Sequence, residues 1–458
     1  MFLTEPHPLL PNLDDQIVSE MLKKIGVNSV AELFSDVPAN FLLKRGLRIA
    51  EGHAESSVRR ELSEKLSLNR TPPETLCFLG GGVWPHYVPA VVDSIVSRQE
   101  FYTSYTPYQP EVSQGMLQSL FEYQSMLCDL LGMEACNSSM YDWASAAGEA
   151  VRMAARLTTR KTVLVAESIS PQRLAVIKTY IEPLGLRLRT IKFVRESGEI
   201  DVSLVHSEIN REVAGIYVEN PNYFGVVEER IADVFEEIHE AGGICIVGVD
   251  PTSVAVIAEP GSYRSDVVVG EGQPLGIPMN YGGPHIGIFG VRDISIARSM
   301  PGRLIGLTTV KETNERAFSM VLQTREQHIR RESATSNICT NQALMALAVA
   351  SYLSLLGKQG FRRLGEVILE NSHYAAERIS RISGCKAPLF SGPFFKEFVV
   401  GYGRKKASHV YTNLAKKGIL AGYPISKDFG VGEGGLYCVT EVHSSDDINR
   451  LVTAMKVT

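Results

Sequence analysis

The middle of this chain lacks lysine: none of its 17 lysines lies between Phe193 and Val310. Cysteine is sparse and unpaired. Cys77, Cys128, Cys136, Cys245, Cys339, Cys385 and Cys438 form no C-x-x-C pair and no metal-ligand spacing, so neither a zinc site nor a disulfide framework is expected. Several stand in apolar runs, where a free thiol acts as a small core residue. Basic charge is not in excess either. A net charge of −5 offers no face to steer nucleic acid. No apolar run reaches the roughly 18 residues of a membrane span, and Met1–Pro8 carries no charged segment leading into an apolar one. These absences predict a cytoplasmic chain with no metal, membrane or nucleic-acid partner.

What is present is ordinary in bulk and specific in arrangement. The 458 residues, 44% hydrophobic and 21% charged, exceed what one growing core accommodates. Residues 1–75 read as a helical arm. Asp14 and Asp15 open a helix that Gly26 stops, Asn28-Ser29 caps a second, and Glu55–Leu68 forms a third.

From Val163 onward, apolar runs at 162–166, 187–194, 215–218, 243–249, 266–269, 286–291 and 304–308 alternate with helical stretches at 171–181, 203–210 and 227–241. Runs apolar on both faces, separated by helices, predict an α/β fold. Its mostly parallel sheet is covered on both sides, with 114–132 and a helix near Ala146 in the opposite layer. A long apolar helix, 341–356, leads into helices and strands that form a small α+β unit. The expected layout is an arm (1–75), a large α/β domain (76–345) and a small C-terminal α+β domain (346–458).

Four segments carry candidate chemistry. Phe101–Glu111 places Tyr102, Tyr105, Tyr108, Gln109 and Glu111 around Pro107 and Pro110, which hold the backbone extended. Tyrosines on such a rigid loop suit ligand or subunit contact, or equally a buried loop with satisfied hydroxyls. Leu79–Tyr87 is glycine-rich but matches no phosphate-cradling loop, and its glycines allow close backbone approach. His86 within it reads alone as a structural histidine. Tyr141–Ala150 enters a helix with Ser145 at its start, either an anion site or a plain cap. Gln323–Glu332 reads as a dense polar helix with Arg325, Arg330 and Arg331 beside the turn Asn337–Thr340. That makes it an interface helix or a carboxylate or phosphate contact.

Together, Phe78–Tyr87, Glu100–Met133 and Gln323–Thr340 resemble the glycine decarboxylase P-protein of the glycine cleavage system. The likeness is to its N-terminal half, which many bacteria and archaea make as a separate alpha subunit, and it extends over essentially the whole chain. It implies the fold of the fold-type I pyridoxal-phosphate enzymes. The family's Schiff-base lysine belongs to the C-terminal half, or beta subunit. Here the matching Gly270–Gly283 loop offers Gln273, and an amide cannot condense with an aldehyde. Asp250 matches the aspartate that meets the pyridine nitrogen in active relatives, but Pro251-Thr252-Ser253 after it is an altered context, so no cofactor role is carried over.

The resemblance therefore implies no catalytic residue here and pyridoxal phosphate in the partner beta subunit. It also implies glycine as substrate, lipoylated H-protein as second partner and an α2β2 assembly. Tyr102, Tyr105, Tyr108, Gln109 and Glu111, with His86 and Arg325, would edge the partner's site. The rival readings are a self-sufficient pyridoxal-phosphate homodimer using a lysine such as Lys192 or Lys311, and a purely structural or regulatory partner.

Overall fold

A computed structural model describes residues 9, 13–43, 45–71, 74–323 and 327–457. The chain divides into two units, Met1–Arg70 and Thr71–Thr458. In the first, the Asp14 carboxylate accepts from the Gln16 and Ile17 amides and opens a helix over Asp15–Ile25, which Gly26 closes at φ 90°. A 3-10 turn (Val30–Phe34) and a helix (Glu55–Leu66) follow. No residue of these three elements is buried.

The second unit starts at β1 (Leu76–Phe78). Its central sheet is built from β2 (Ala135–Cys136), β3 (Thr162–Ala166), β4 (Arg187–Ile191), β5 (Val213–Glu219), β6 (Ile244–Val249), β7 (Val267–Glu271) and β8 (Gly287–Val291). The order is β2-β8-β7-β6-β5-β3-β4. Strands β3 to β7 pair in parallel, whereas β8 runs antiparallel to both β7 and β2. Every residue of β3, β5 and β7 is buried, as a sheet covered on both faces requires. The Trp143–Thr158 helix crosses β5 to β8 on one side, and the Ile231–Glu240 helix packs on β6.

The run at 304–308 does not join this sheet. It is β9 (Leu304–Thr309), which pairs antiparallel with β10 (Arg316–Val321) in a separate hairpin. Nor do residues 323–332 form one helix. Among the described residues there is a single turn, Gln327–Arg330, and a 3-10 turn follows with Arg331 at φ 52°.

The helix Ala343–Ser380, broken at Gly357, leads into the α+β part. By length and composition it could span a membrane, but the break interrupts it and it packs against the Gln114–Leu131 helix. The rest comprises β11 (Glu397–Gly401), β12 (Ile419–Ala421), β13 (Tyr423–Pro424) and β14 (Gly434–Cys438), with helices at Ala407–Lys416, Ser426–Phe429 and Ser445–Lys456. β1 pairs with β12, so the chain enters the second unit through its C-terminal layer.

Candidate functional site: a filled cofactor pocket and an open tyrosine edge

In a parallel α/β sheet, ligands bind outside the carboxyl ends of the strands. Here β5 ends at Glu219, β6 runs into Asp250, and β7 ends at Glu271, two residues before Gln273. Asp250 lines a pocket together with Trp84, Trp143, Arg173, Tyr223, Lys396 and Glu397, among others, and Glu219 meets it through Arg173.

Lys396 fills it. Its side chain, 2% exposed, comes from the residue before β11 and places Nζ 2.7 Å from Asp250 Oδ2. The ammonium also reaches His86 Nε2 at 3.0 Å and donates to Thr252 Oγ1 at 3.3 Å. It sits 3.8 Å above the Trp84 ring centroid. All three donors of the ammonium thus have partners, and the aromatic face covers the remaining side. Asp250 accepts from the Thr252 amide and hydroxyl through its other oxygen.

A second cation fills the neighbouring space. Arg173 binds Glu219 through two hydrogen bonds of 2.5 and 2.6 Å and lies 3.9 Å over Trp143. Trp143 in turn donates to Tyr217, whose hydroxyl donates to Glu219.

Gln273 is fully engaged. Its Oε1 accepts from the Trp84 amide, and its Nε2 donates to the Trp84 and Ile277 carbonyls. It pairs with the Trp84 backbone as a strand neighbour would, a donor–acceptor pairing that lysine, having no acceptor, cannot make.

The Ser145 helix start is a cap and not a free anion site. Asp142 accepts from the Ser145 amide at 2.7 Å, and Glu271 approaches the Trp143 amide at 3.4 Å. Two of the chain's own carboxylates thus stand where a phosphate would bind. The Gly80–Gly82 run also serves an internal carboxylate. The Gly81 amide donates to Glu397 at 2.6 Å, and a Cβ on Gly80 would lie 2.0 Å from that oxygen. Burial pushes the Glu397 carboxyl up to about 7.

The cavity left is about 20 Å³, room for about one water and far below the several hundred Å³ of an ordinary cofactor site. Pyridoxal phosphate, the cofactor the resemblance implies for the family, does not fit this pocket. Lysines 192 and 311 offer no rescue. Lys192 is exposed and paired with Glu167, Lys311 is exposed in the β9–β10 turn, and neither lines the pocket.

The remaining sequence candidates fall into two places. The His86 ring is buried in the filled pocket, its Nδ1 2.9 Å from Glu441 and its Nε2 facing Lys396. These partners fix a neutral ring that donates through Nδ1. Burial and then the Lys396 charge push its pKa down. Its partners belong to the pocket and not to the tyrosine loop.

Tyr102 ends a short helix, and Tyr105 and Tyr108 follow in a loop that is not extended throughout: it turns tightly at buried Pro107, where the Tyr108 amide donates to the Thr106 carbonyl at 2.8 Å. All three rings are exposed, as are Gln109 and Glu111. Arg303, itself buried, donates to Thr106 Oγ1, Tyr108 OH and the Cys339 carbonyl, tying this loop to the Asn337–Thr340 turn. Between them opens a cavity of about 590 Å³ lined by Tyr108, Arg152, Gln327, His328, Arg331 and Cys339, among others. Arg325 lies outside the described residues.

Sequence reading missed Lys396, Arg173, Glu219 and Arg303. For Lys396 the signal was a charged pair, Lys396-Glu397, inside the apolar run Phe394–Val400. Among the described residues, His239, Cys245 and Asp266 bring three ligand-type atoms within 4.8 Å. Asp266 is committed there to His239 and Arg292, however, and the Cys245 thiol, pushed far up by burial, donates to Phe235.

The profile of the family "Glycine cleavage system P-protein" matches residues 10–455. "Probable glycine dehydrogenase (decarboxylating) subunit 1" of Staphylothermus marinus is 45% identical over 98% of this chain and 97% of its own length. The protein of the same name from Saccharolobus islandicus is 46% identical over the same shares. A crystal structure of glycine decarboxylase (P-protein) of the glycine cleavage system, in inhibitor-bound form, superposes with a TM-score of 0.88 at 37% identity, covering 99% of both chains. Sphingosine-1-phosphate lyase of Burkholderia pseudomallei, at 14% identity and TM-score 0.65 over 91% of this chain and 92% of that one, shares the fold. The α/β fold with its mostly parallel central sheet is therefore that of fold-type I pyridoxal-phosphate enzymes, and the chain belongs to the glycine cleavage system P-protein family.

Proposed function

We propose that this chain is the alpha subunit of a two-subunit glycine decarboxylase, with pyridoxal phosphate and the Schiff-base lysine in a second, beta subunit. The assembled enzyme takes glycine, releases its carboxylate as CO2 and passes the aminomethyl group to the lipoyl arm of an H-protein. The observation that carries this reading is the Lys396–Asp250 pair. In a chain of this family, the position against the cofactor aspartate is held by the chain's own ammonium, and Gln273 stands in place of the lysine.

The contribution left to the chain is its open edge. Tyr102, Tyr105, Tyr108, Gln109 and Glu111 offer hydroxyl, amide and carboxylate groups, and the adjoining cavity adds Arg331 beside Arg152, which is paired with buried Glu149. Such a surface suits the rim of a partner's site that handles a carboxylate substrate. The homologous halves pair as αβ and then as α2β2, in a compartment that keeps the cysteines reduced, the cytoplasm.

Exchange of labelled CO2 into the glycine carboxyl group tests the reading. Each chain alone gives none, and mixing alpha with beta restores it. Exchange by this chain alone overturns the reading. Normal turnover by Tyr105→Phe and Tyr108→Phe in an intact assembly would leave the chain a purely structural partner.

A further inference from the structure

We propose that Lys396 is a built-in replacement for the cofactor, a permanent latch that fastens the C-terminal α+β domain to the central sheet across the filled pocket. In a cofactor-binding member of this fold, the charge facing the aspartate at this strand end comes from a bound ligand. Here the same carboxylate meets an ammonium delivered from the opposite side of the pocket, on the residue that leads into β11.

The latch has four further contacts, all made by residues 80–87. The Gly81 amide holds Glu397, the residue after Lys396. Glu441, three residues beyond β14, takes the Tyr87 amide at 2.7 Å and faces His86 at 2.9 Å. The Thr440 hydroxyl donates to the Pro85 carbonyl at 2.5 Å. On the sheet side, Gln273 grips the same segment by both backbone groups of Trp84. The segment is therefore held from both sides, and Lys396 spans it, touching His86 and Trp84 on the way to Asp250.

The ammonium is decisive because of what its loss leaves behind. Asp250 is 5% exposed, and its remaining partners, the Thr252 amide and hydroxyl, are neutral donors. Removing one member of a buried ion pair leaves the other desolvated and unneutralised, the costly case for such pairs. The latch requires no bound molecule, so the pocket stays shut in every state of the chain.

The chain carries its own reporter. Trp84 and Trp143 are its only two tryptophans, both line the pocket, and their rings are 6.4 Å apart. In the full-length chain, Lys396→Met keeps the stem and removes the charge. The expected result is a Tm lower by about 4–10 °C, together with stronger acrylamide quenching of tryptophan emission. Faster amide exchange is expected in residues 80–87. The double variant Lys396→Met/Asp250→Asn, which removes both charges, regains more than half of the lost Tm and restores the shielding. If Lys396→Met fails to fold while the double variant folds, the latch stands. A Lys396→Met chain with native Tm and quenching overturns it. So does a double variant whose losses merely add, or one that fails to fold alongside the single variant.

Discussion

The filled pocket and the cavity beside Tyr108 are both lined by aromatic and cationic side chains, yet one is closed by them and the other stands open. In the pocket each cation has an anion of the same chain against it, Lys396 with Asp250 and Arg173 with Glu219. The space left is about 20 Å³. At the edge, buried Arg303 ties the loops together through Thr106, Tyr108 and the Cys339 carbonyl, Arg152 pairs with buried Glu149, and Tyr108, of the three exposed tyrosines, borders an open cavity of about 590 Å³. The difference is the one the proposed division of labour between two subunits calls for. Internal ion pairs occupy the pocket, and the tyrosines at the edge stay uncovered.

Breaking the filled pocket should have the largest effect. Arg173→Met strands Glu219 in the core, and a loss of about 3–5 kcal/mol is expected in urea unfolding. A loss under about 1 kcal/mol would mean that the pair contributes little and that the pocket tolerates opening.

Gln273→Lys places the amine that the proposed function assigns to the partner, but removes the acceptor for the Trp84 amide, and a cost of about 1–3 kcal/mol follows. Because Lys396 still blocks the aspartate, the variant should form no borohydride-fixable adduct with pyridoxal phosphate. An adduct at residue 273 would show that one substitution reopens the site.

A smaller effect concerns Glu228, three residues beyond Gly225, which lines the filled pocket. It accepts from Asn222 and from the Ile200 amide, and burial pushes its carboxyl from 4.5 up to about 7. A group held more readily protonated when folded stabilises fully below about pH 4.5, and that contribution disappears as the pH rises through about 7. The native chain should therefore lose on the order of 1–2 kcal/mol between about pH 5 and pH 8 relative to Glu228→Gln. Parallel pH profiles would remove Glu228 from the account.

The edge should show the reverse pattern. Tyr105→Phe removes an exposed hydroxyl and should change stability by less than about 0.5 kcal/mol. Glycine–CO2 exchange by the assembled enzyme should nonetheless fall. Unchanged exchange would mean that the rim is only a contact surface.

Much of the fold was legible because its signals are local. Asp14 and Gly26 bracket the first helix by capping chemistry, Thr162–Ala166 and Pro171–Ile181 coincide with a strand and a helix, and apolar runs on both faces marked the covered parallel strands. β10 was missed because the charged stretch Lys311–Arg316 reads as loop, although it forms the turn and first residue of a hairpin. Residues 323–332 scored as helical by composition, whereas Arg331 takes a left-handed conformation at the end of one turn. Gln273 could be read as a substitution on the strength of the resemblance.

The reason the pocket is shut could not be read the same way. It depends on Lys396 meeting residues as far as 310 positions away, and on Asp142 capping a helix start that composition equally offers to an anion. Charges inside an apolar run are the one local trace such a pair leaves, because burial of an ion demands a partner the run itself does not show.

The pocket where the fold would hold a cofactor is occupied by the chain's own side chains. Incubating the full-length chain with pyridoxal phosphate, fixing with borohydride and mapping the peptides tests it most directly, with tryptophan emission followed throughout. The account predicts no stoichiometric label on any single lysine and unchanged emission from Trp84 and Trp143. A stoichiometric label on Lys396, or saturable quenching of those two tryptophans, would contradict it.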